Sequence, residues 1–213
     1  MPASSPTPRS SYRGLIYFLA FLIAALVIYR LNTPPPGVSK LPVYTIVPPF
    51  SFTERSGKTI SNQDLAGKIW VADFIYTTCP GPCPLVSANM ARLQKSVASD
   101  PNVQLVTFTV DPNHDTPPVL AAYADKFGAD ANRWWFLTGA EKPMDTLIQN
   151  GFWQAVQDNQ GSAADGGFTV THSTKLVLVD ADGNVRGFYD GVGTDGRANL
   201  LQSIKTLEKE ENL

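Results

Sequence analysis

Cysteine and histidine are scarce in this chain, at two residues each among 213. Two cysteines cannot build a multi-disulfide secreted scaffold. Charge is also low: 17% of residues are ionic, and the net charge is -2. The first 42 residues hold Arg9, Arg13, Arg30 and Lys40 and no acid, so the remainder is net acidic. An acidic body lacks the basic face that phosphate binding needs, which excludes nucleic acid as the partner. Apolar residues make up 43%, enough for a globular core.

One uncharged apolar run is present, Gly14 to Tyr29, bounded by Arg13 and Arg30. It is slightly short for a membrane span, but snorkelling arginines and Tyr12, Tyr17 and Tyr29 extend it. No small-x-small cleavage site and no lipoprotein cysteine follows, so an uncleaved anchor is expected rather than a signal peptide. The expected organisation is a short cytoplasmic tail over 1–13, a transmembrane helix over 14–31, a Pro-rich linker over 32–42 and a domain over 43–213. The charges flanking the run nearly balance, and the short tail favours a cytoplasmic N-terminus. The domain then lies in the periplasm, outside a bacterial inner membrane, with the mitochondrial inner membrane as the alternative.

From Val43 onward strand and helix signals alternate. Ile69–Tyr76 and Val103–Val110 read as buried strands. Pro84–Ser99 reads as a helix with Val86, Met90, Leu93 and Val97 on one stripe. Thr116 and Pro117 open a second helix, and Gly128 closes it. Trp134–Leu137 is a short strand and Pro143–Asn150 a helix. Lys175–Asp180 and Asn184–Asp190 flank a hairpin signal, and a last helix runs from Asp195. This order predicts an α/β, thioredoxin-like fold. The region from Val43 to Ile60 adds an N-terminal β-hairpin, and Gly128–Thr171 holds the largest insertion.

Both cysteines lie in T-T-C-P-G-P-C-P, at the exit of the first buried strand. Pro80, Pro82 and Pro84 cannot all lie inside one helix, so the segment reads as a loop with Cys83 capping a helix that starts at Pro84. Free N–H groups and the helix dipole are expected to lower both thiol pKa values. A static disulfide would close a small loop and stabilise little. Two working readings remain: a dithiol–disulfide couple, or a pair of thiolates on a soft metal. His172 precedes an apolar strand, where a thioredoxin-like fold places a proline facing the cysteines. Two thiolates and one imidazole suit copper, as Cu(I) or Cu(II). Zinc would want a fourth protein ligand that the sequence does not offer.

The segments I-Y-T-T-C-P-G-P-C-P, V-D-P-N-H-D-T-P, W-W-F-L-T-G and H-S-T-K-L-V-L-V-D-A-D-G-N-V-R together resemble the Sco/SenC family, thioredoxin-like copper chaperones tied to cytochrome oxidase assembly. The resemblance covers Val43 to the C-terminus and the anchor architecture. It implies that Cys79, Cys83 and His172 are copper ligands. It also implies copper delivery to the dinuclear copper centre of cytochrome c oxidase, reduction of that centre's cysteines, or both. The implied partners are the copper-centre subunit, other copper chaperones or thiol reductants, and the membrane. The family often has an acid where this chain has Thr171, and an arginine where it has His114.

Two further residues stand out. Asp73 lies six residues before Cys79, inside the apolar strand. It is expected beneath the loop with a raised pKa, accepting protons during disulfide exchange; the alternative is a solvent-facing strand acid. His114 follows the neighbouring strand and is expected on a partner-facing rim, where it catches copper transiently or is simply solvated. Asp111 and Asp115 read as turn and cap residues. A thiol–disulfide oxidoreductase without copper is the second functional reading. A peroxiredoxin is third, lacking the residues expected around a peroxidatic cysteine.

Overall fold

Two parallel strands whose every residue is buried, β4 (Ile69–Ile75) and β5 (Val103–Thr109), form the centre of the domain. Strands covered on both faces read as continuous apolar runs, as these two do. The structure, a computed structural model, describes residues 11–32, 40–152 and 174–212. It divides into an N-terminal unit, Met1–Ser39, and a second unit, Lys40–Leu213.

In the N-terminal unit, α1 spans Ser11–Asn32, and its described side chains, 15–26, are exposed. Among the described residues no helix is long and apolar enough to cross a membrane.

The second unit carries β1 (Thr45–Ile46), β2 (Ser51–Glu54), β3 (Thr59–Ser61), a 3-10 turn over Asn62–Leu65, β4, α2 (Cys83–Ser96), β5 and α3 (Pro117–Lys126). It continues with β6 (Trp134–Thr138), α4 (Glu141–Gly151), β7 (Lys175–Val179), β8 (Asn184–Asp190) and a last helix, α5, over Thr194–Glu211. Among the described residues the strands form one eight-stranded sheet in the order β1-β8-β7-β4-β5-β6-β2-β3. One face is covered by α2, α3 and α5, through Val86, Met90 and Leu93, Leu120 and Tyr123, and Leu200, Ile204 and Leu207. The other carries α4 and an aromatic cluster of Phe50, Phe52, Trp70, Phe74, Phe108 and Phe152.

The expected N-terminal β-hairpin is present but shorter than the segment from Val43 to Ile60: β2 and β3 pair antiparallel and extend the sheet beyond β6, whereas β1 joins β8 at the opposite edge. Pro48 and Pro49 separate the two pieces, since proline cannot continue a ladder. The first part of the expected insertion is also integral: β6 is an internal strand and α4 packs on the core. The rest of it, from residue 153, lies outside the described residues, as does His172.

Candidate metal and thiol site

The site forms at the end of the sheet where β4 and β5 both terminate. Because they run parallel, their exits emerge side by side, and Val110 N–H extends the pairing to the Ile75 carbonyl at 2.8 Å. The β4 exit carries the cysteine loop, and the β5 exit carries His114 and Asp115. β7 runs antiparallel to β4, with Trp70 opposite Val179 and Ala72 opposite Val177. Its start therefore lies at this same end, and Thr174, two residues after His172, accepts the Gly191 N–H at 2.7 Å.

The helix after the loop begins one residue earlier than expected. Cys83 is the first helical residue, and Pro82 is the cap. Pro82 already has helical angles (φ -75°, ψ -22°), and its carbonyl accepts the Leu85 and Val86 N–H groups. Proline's fixed φ suits the start of a helix, so the turn forms before Pro84 rather than at it. Both cysteines are free thiols and buried. Asn89 on α2 donates to the Gly191 and Val192 carbonyls at 2.8 and 2.9 Å, fixing the helix to the β8–α5 turn.

The thiols are unequal, which corrects the expectation that both are acidified. Burial pushes the Cys79 thiol up. Hydrogen bonds from the Cys83 thiol, the Cys83 and Gly81 backbone and Tyr76 outweigh it and hold Cys79 below its ordinary value. Burial raises Cys83, and its role as hydrogen-bond partner of the Cys79 sulfur adds to this, to about 12. The pair thus favours one thiolate at Cys79 with a proton retained on Cys83. Burial likewise raises Tyr76, which faces Cys79, to about 12.

Asp73 is fully buried on the same face as the cysteines. It accepts a 2.5 Å hydrogen bond from Thr107 Oγ1, which in turn accepts one from Trp134 Nε1 at 2.7 Å. Its second oxygen, Oδ2, has no partner among the described atoms. Burial lifts its pKa from 3.8 to about 7, against the smaller effect of Thr107. His114 is half-exposed, and its Nδ1 lies 3.0 Å from Asp115 Oδ1. That hydrogen bond raises its pKa. Among the described residues no group of three or more His, Cys, Asp or Glu side chains forms a metal cluster.

A family model described as SCO1/SenC matches residues 39–208. The chain belongs to the SCO1/SenC family. The SCO1 protein homolog of Bacillus subtilis (strain 168) is 32% identical over 169 residues, covering 78% of this chain and 85% of the relative. A SCO1/SenC family lipoprotein from Bacillus anthracis str. Ames has a crystal structure with TM-score 0.66 at 34% identity, covering 76% of this chain and 95% of that one. BsSco, a member of the Sco family of cytochrome c oxidase assembly proteins in which a disulfide switch was identified, gives TM-score 0.66 at 30% identity, with 79% and 96% covered. Bradyrhizobium japonicum ScoI, solved with copper bound, shares the fold at 24% identity, TM-score 0.58, with 76% and 99% covered.

In this SCO1/SenC chain the structure brings Cys79, Cys83 and Asp73 to one face of the sheet, with His114 on the neighbouring loop. Asp115, read from sequence as a turn or cap residue, is instead a fully buried carboxylate joining both loops. The signal for it is positional: an acid at the exit of a strand parallel to the cysteine strand.

Proposed function

We propose that this chain handles copper for assembly of cytochrome c oxidase, holding the ion as cargo on Cys79, Cys83 and His172. The observation that carries the reading is a buried pair of mutually hydrogen-bonded sulfurs at the sheet end where β7 begins. Two soft donors within reach of each other suit copper, and copper is bound in solved relatives. In this reading the imidazole of His172, three residues before β7 in the sequence, supplies the nitrogen of a two-sulfur, one-nitrogen set. Ligation requires both sulfurs as thiolates, so uptake releases protons. Helix α1 and the Pro-rich segment serve as a single-pass tether that keeps the domain outside the membrane, near the copper-centre subunit of the oxidase.

The second reading is thiol–disulfide exchange by the same cysteines without copper. The unequal thiols favour it, because Cys79 serves as the attacking thiolate and Cys83 as the resolving thiol. In this reading Asp73, buried on their face and electrostatically coupled to Cys83, takes up the proton that Cys83 gives up.

The test is a titration of the reduced 40–213 domain with Cu(I) and Cu(II), beside Cys79→Ser, Cys83→Ser and His172→Ala. A stoichiometric thiolate–copper absorption band, lost in both serine variants and weakened in His172→Ala, is the expected result. If no band forms while the dithiol reduces a disulfide peptide, the oxidoreductase reading stands instead. An unchanged band in His172→Ala removes that residue as a ligand.

A further inference from the structure

Asp115 is a charged group with no exposure to solvent, a placement that costs free energy unless every lone pair is used. Here they are used. Oδ1 accepts from Thr77 Oγ1 at 2.5 Å and faces His114 Nδ1 at 3.0 Å. Oδ2 accepts from Thr77 N–H at 3.0 Å and Thr109 Oγ1 at 2.6 Å. The donors come from the exits of two separate strands, and charge-assisted bonds of this kind are short and strong. The Asp115 N–H is itself held by the Asp111 carbonyl at 2.8 Å, and Asp111 N–H by Thr109 Oγ1 at 3.0 Å. The carboxylate therefore sits on a tightened turn rather than a free loop.

Thr77 is two residues before Cys79. Two of the four contacts on Asp115 come from Thr77, one through its backbone and one through its hydroxyl. Together they fix the direction in which the chain leaves β4, and so where the Cys79 sulfur is presented. The next backbone contact is Cys79 N–H to the Tyr76 carbonyl at 3.2 Å, and the Cys79 sulfur is held in turn by the Gly81 and Cys83 backbone and by Tyr76, so the latch sets where this whole turn starts. We infer that Asp115 is a positioning residue for the thiol pair: its buried carboxylate latches the β5 exit to the cysteine loop and sets the geometry in which Cys79 meets its cargo. His114, bonded to the same carboxylate, is held on the rim by the same latch.

This deepens the copper reading and rests on it for the cargo, but the latch itself acts on a thiol whose reactivity can be read without copper. The experiment uses the reduced 40–213 domain, alone and loaded with Cu(I). It compares Asp115→Ala, Asp115→Asn and Thr77→Val with Asp180→Ala. Asp180 is another buried carboxylate with several hydrogen bonds, placed at the far end of the sheet. Two rates are measured: iodoacetamide alkylation of Cys79, followed by mass spectrometry, and loss of copper to a chelator.

The expected result is alkylation about fivefold faster and copper loss about tenfold faster in Asp115→Ala, since local restraint governs local opening. Smaller changes of the same sign are expected in Asp115→Asn, which keeps one acceptor oxygen, and in Thr77→Val. Asp180→Ala leaves both rates within about twofold even where it lowers the melting temperature as much. Equal effects from Asp115→Ala and Asp180→Ala reduce Asp115 to general stability and overturn the inference. Unchanged rates in all site variants overturn it too. If Asp115→Ala does not fold, Asp115→Asn and Thr77→Val decide by the same criteria. If the wild-type domain takes up no copper, the functional reading falls, while the alkylation rates still decide the latch.

Discussion

At the scale of single residues, the site is defined by inequality between chemically similar groups. Cys79 and Cys83 are the same residue in one loop, yet one is held below its ordinary pKa and the other is lifted to about 12. Asp73 and Asp115 are both fully buried, but Asp115 has all its oxygens occupied and Asp73 has one bare. Asp73 therefore carries a pH signature. Its folded value, about 7, stands above the ordinary 3.8. The protonated form is the better accommodated one. The stability it contributes is fully present below about pH 4 and is lost as pH rises through about 7. Asp73→Asn removes this loss. The variant is expected to gain on the order of 1–3 kcal/mol over wild type at about pH 8, and much less at about pH 4. Urea denaturation of the reduced domain at both pH values checks it; a gain independent of pH would show that Asp73 is ionised throughout.

At the scale of elements, much of the architecture is written in the sequence, and the exceptions have local causes. β4 and β5 are legible because strands buried on both faces need uninterrupted apolar residues. β8 and the turn before it are legible through A-D-G, where Gly183 takes φ +83°. The start of α2 was displaced by one residue because Pro82 supplies helical φ itself. The split of the N-terminal region was hidden because strands of two to four residues carry too little periodicity to show which edge they join. Asp115 was hidden for another reason: its partners Thr77 and Thr109 come from two strands, and only tertiary pairing brings them to it. The β8–α5 junction holds a further requirement that sequence does not display. A Cβ at Gly196 would collide with the Asp190 carbonyl, so α5 can start there only over a glycine. Gly196→Ala is expected to cost about 2–3 kcal/mol, as overpacking against backbone does. Thermal denaturation of the domain measures it. A melting temperature within a degree or so of wild type would mean that the junction relaxes freely.

At the scale of the whole domain, a buried ionic network closes the fold around Leu41 and Pro42, at the start of the second unit. Arg186 bonds to Asp180 and Glu210 at 2.9 and 2.7 Å, and donates to the Leu41 and Pro42 carbonyls at 2.7 and 3.1 Å. Glu210 also accepts the Leu41 N–H at 2.8 Å. Removing one partner of such a network leaves the others buried and unmatched. Arg186→Ala is expected to free the chain around residues 40–43. Limited proteolysis there should quicken by roughly fivefold or more while far-UV circular dichroism is kept. Cleavage at the wild-type rate would show that β1 alone holds the segment.

The place of that network has a mechanical meaning. Arg186 is paired near the β8 start, at the end of the sheet away from the cysteine loop. The seven residues of β4 separate the two ends by about 23 Å, at about 3.3 Å per residue. With the proposed tether moored at one end, the thiols ride at the tip of a lever. A swing of about 30° about the mooring carries them roughly 12 Å on that arm. On the proposed function, the rigidity of that mooring sets how wide an arc a copper cargo sweeps in search of its acceptor.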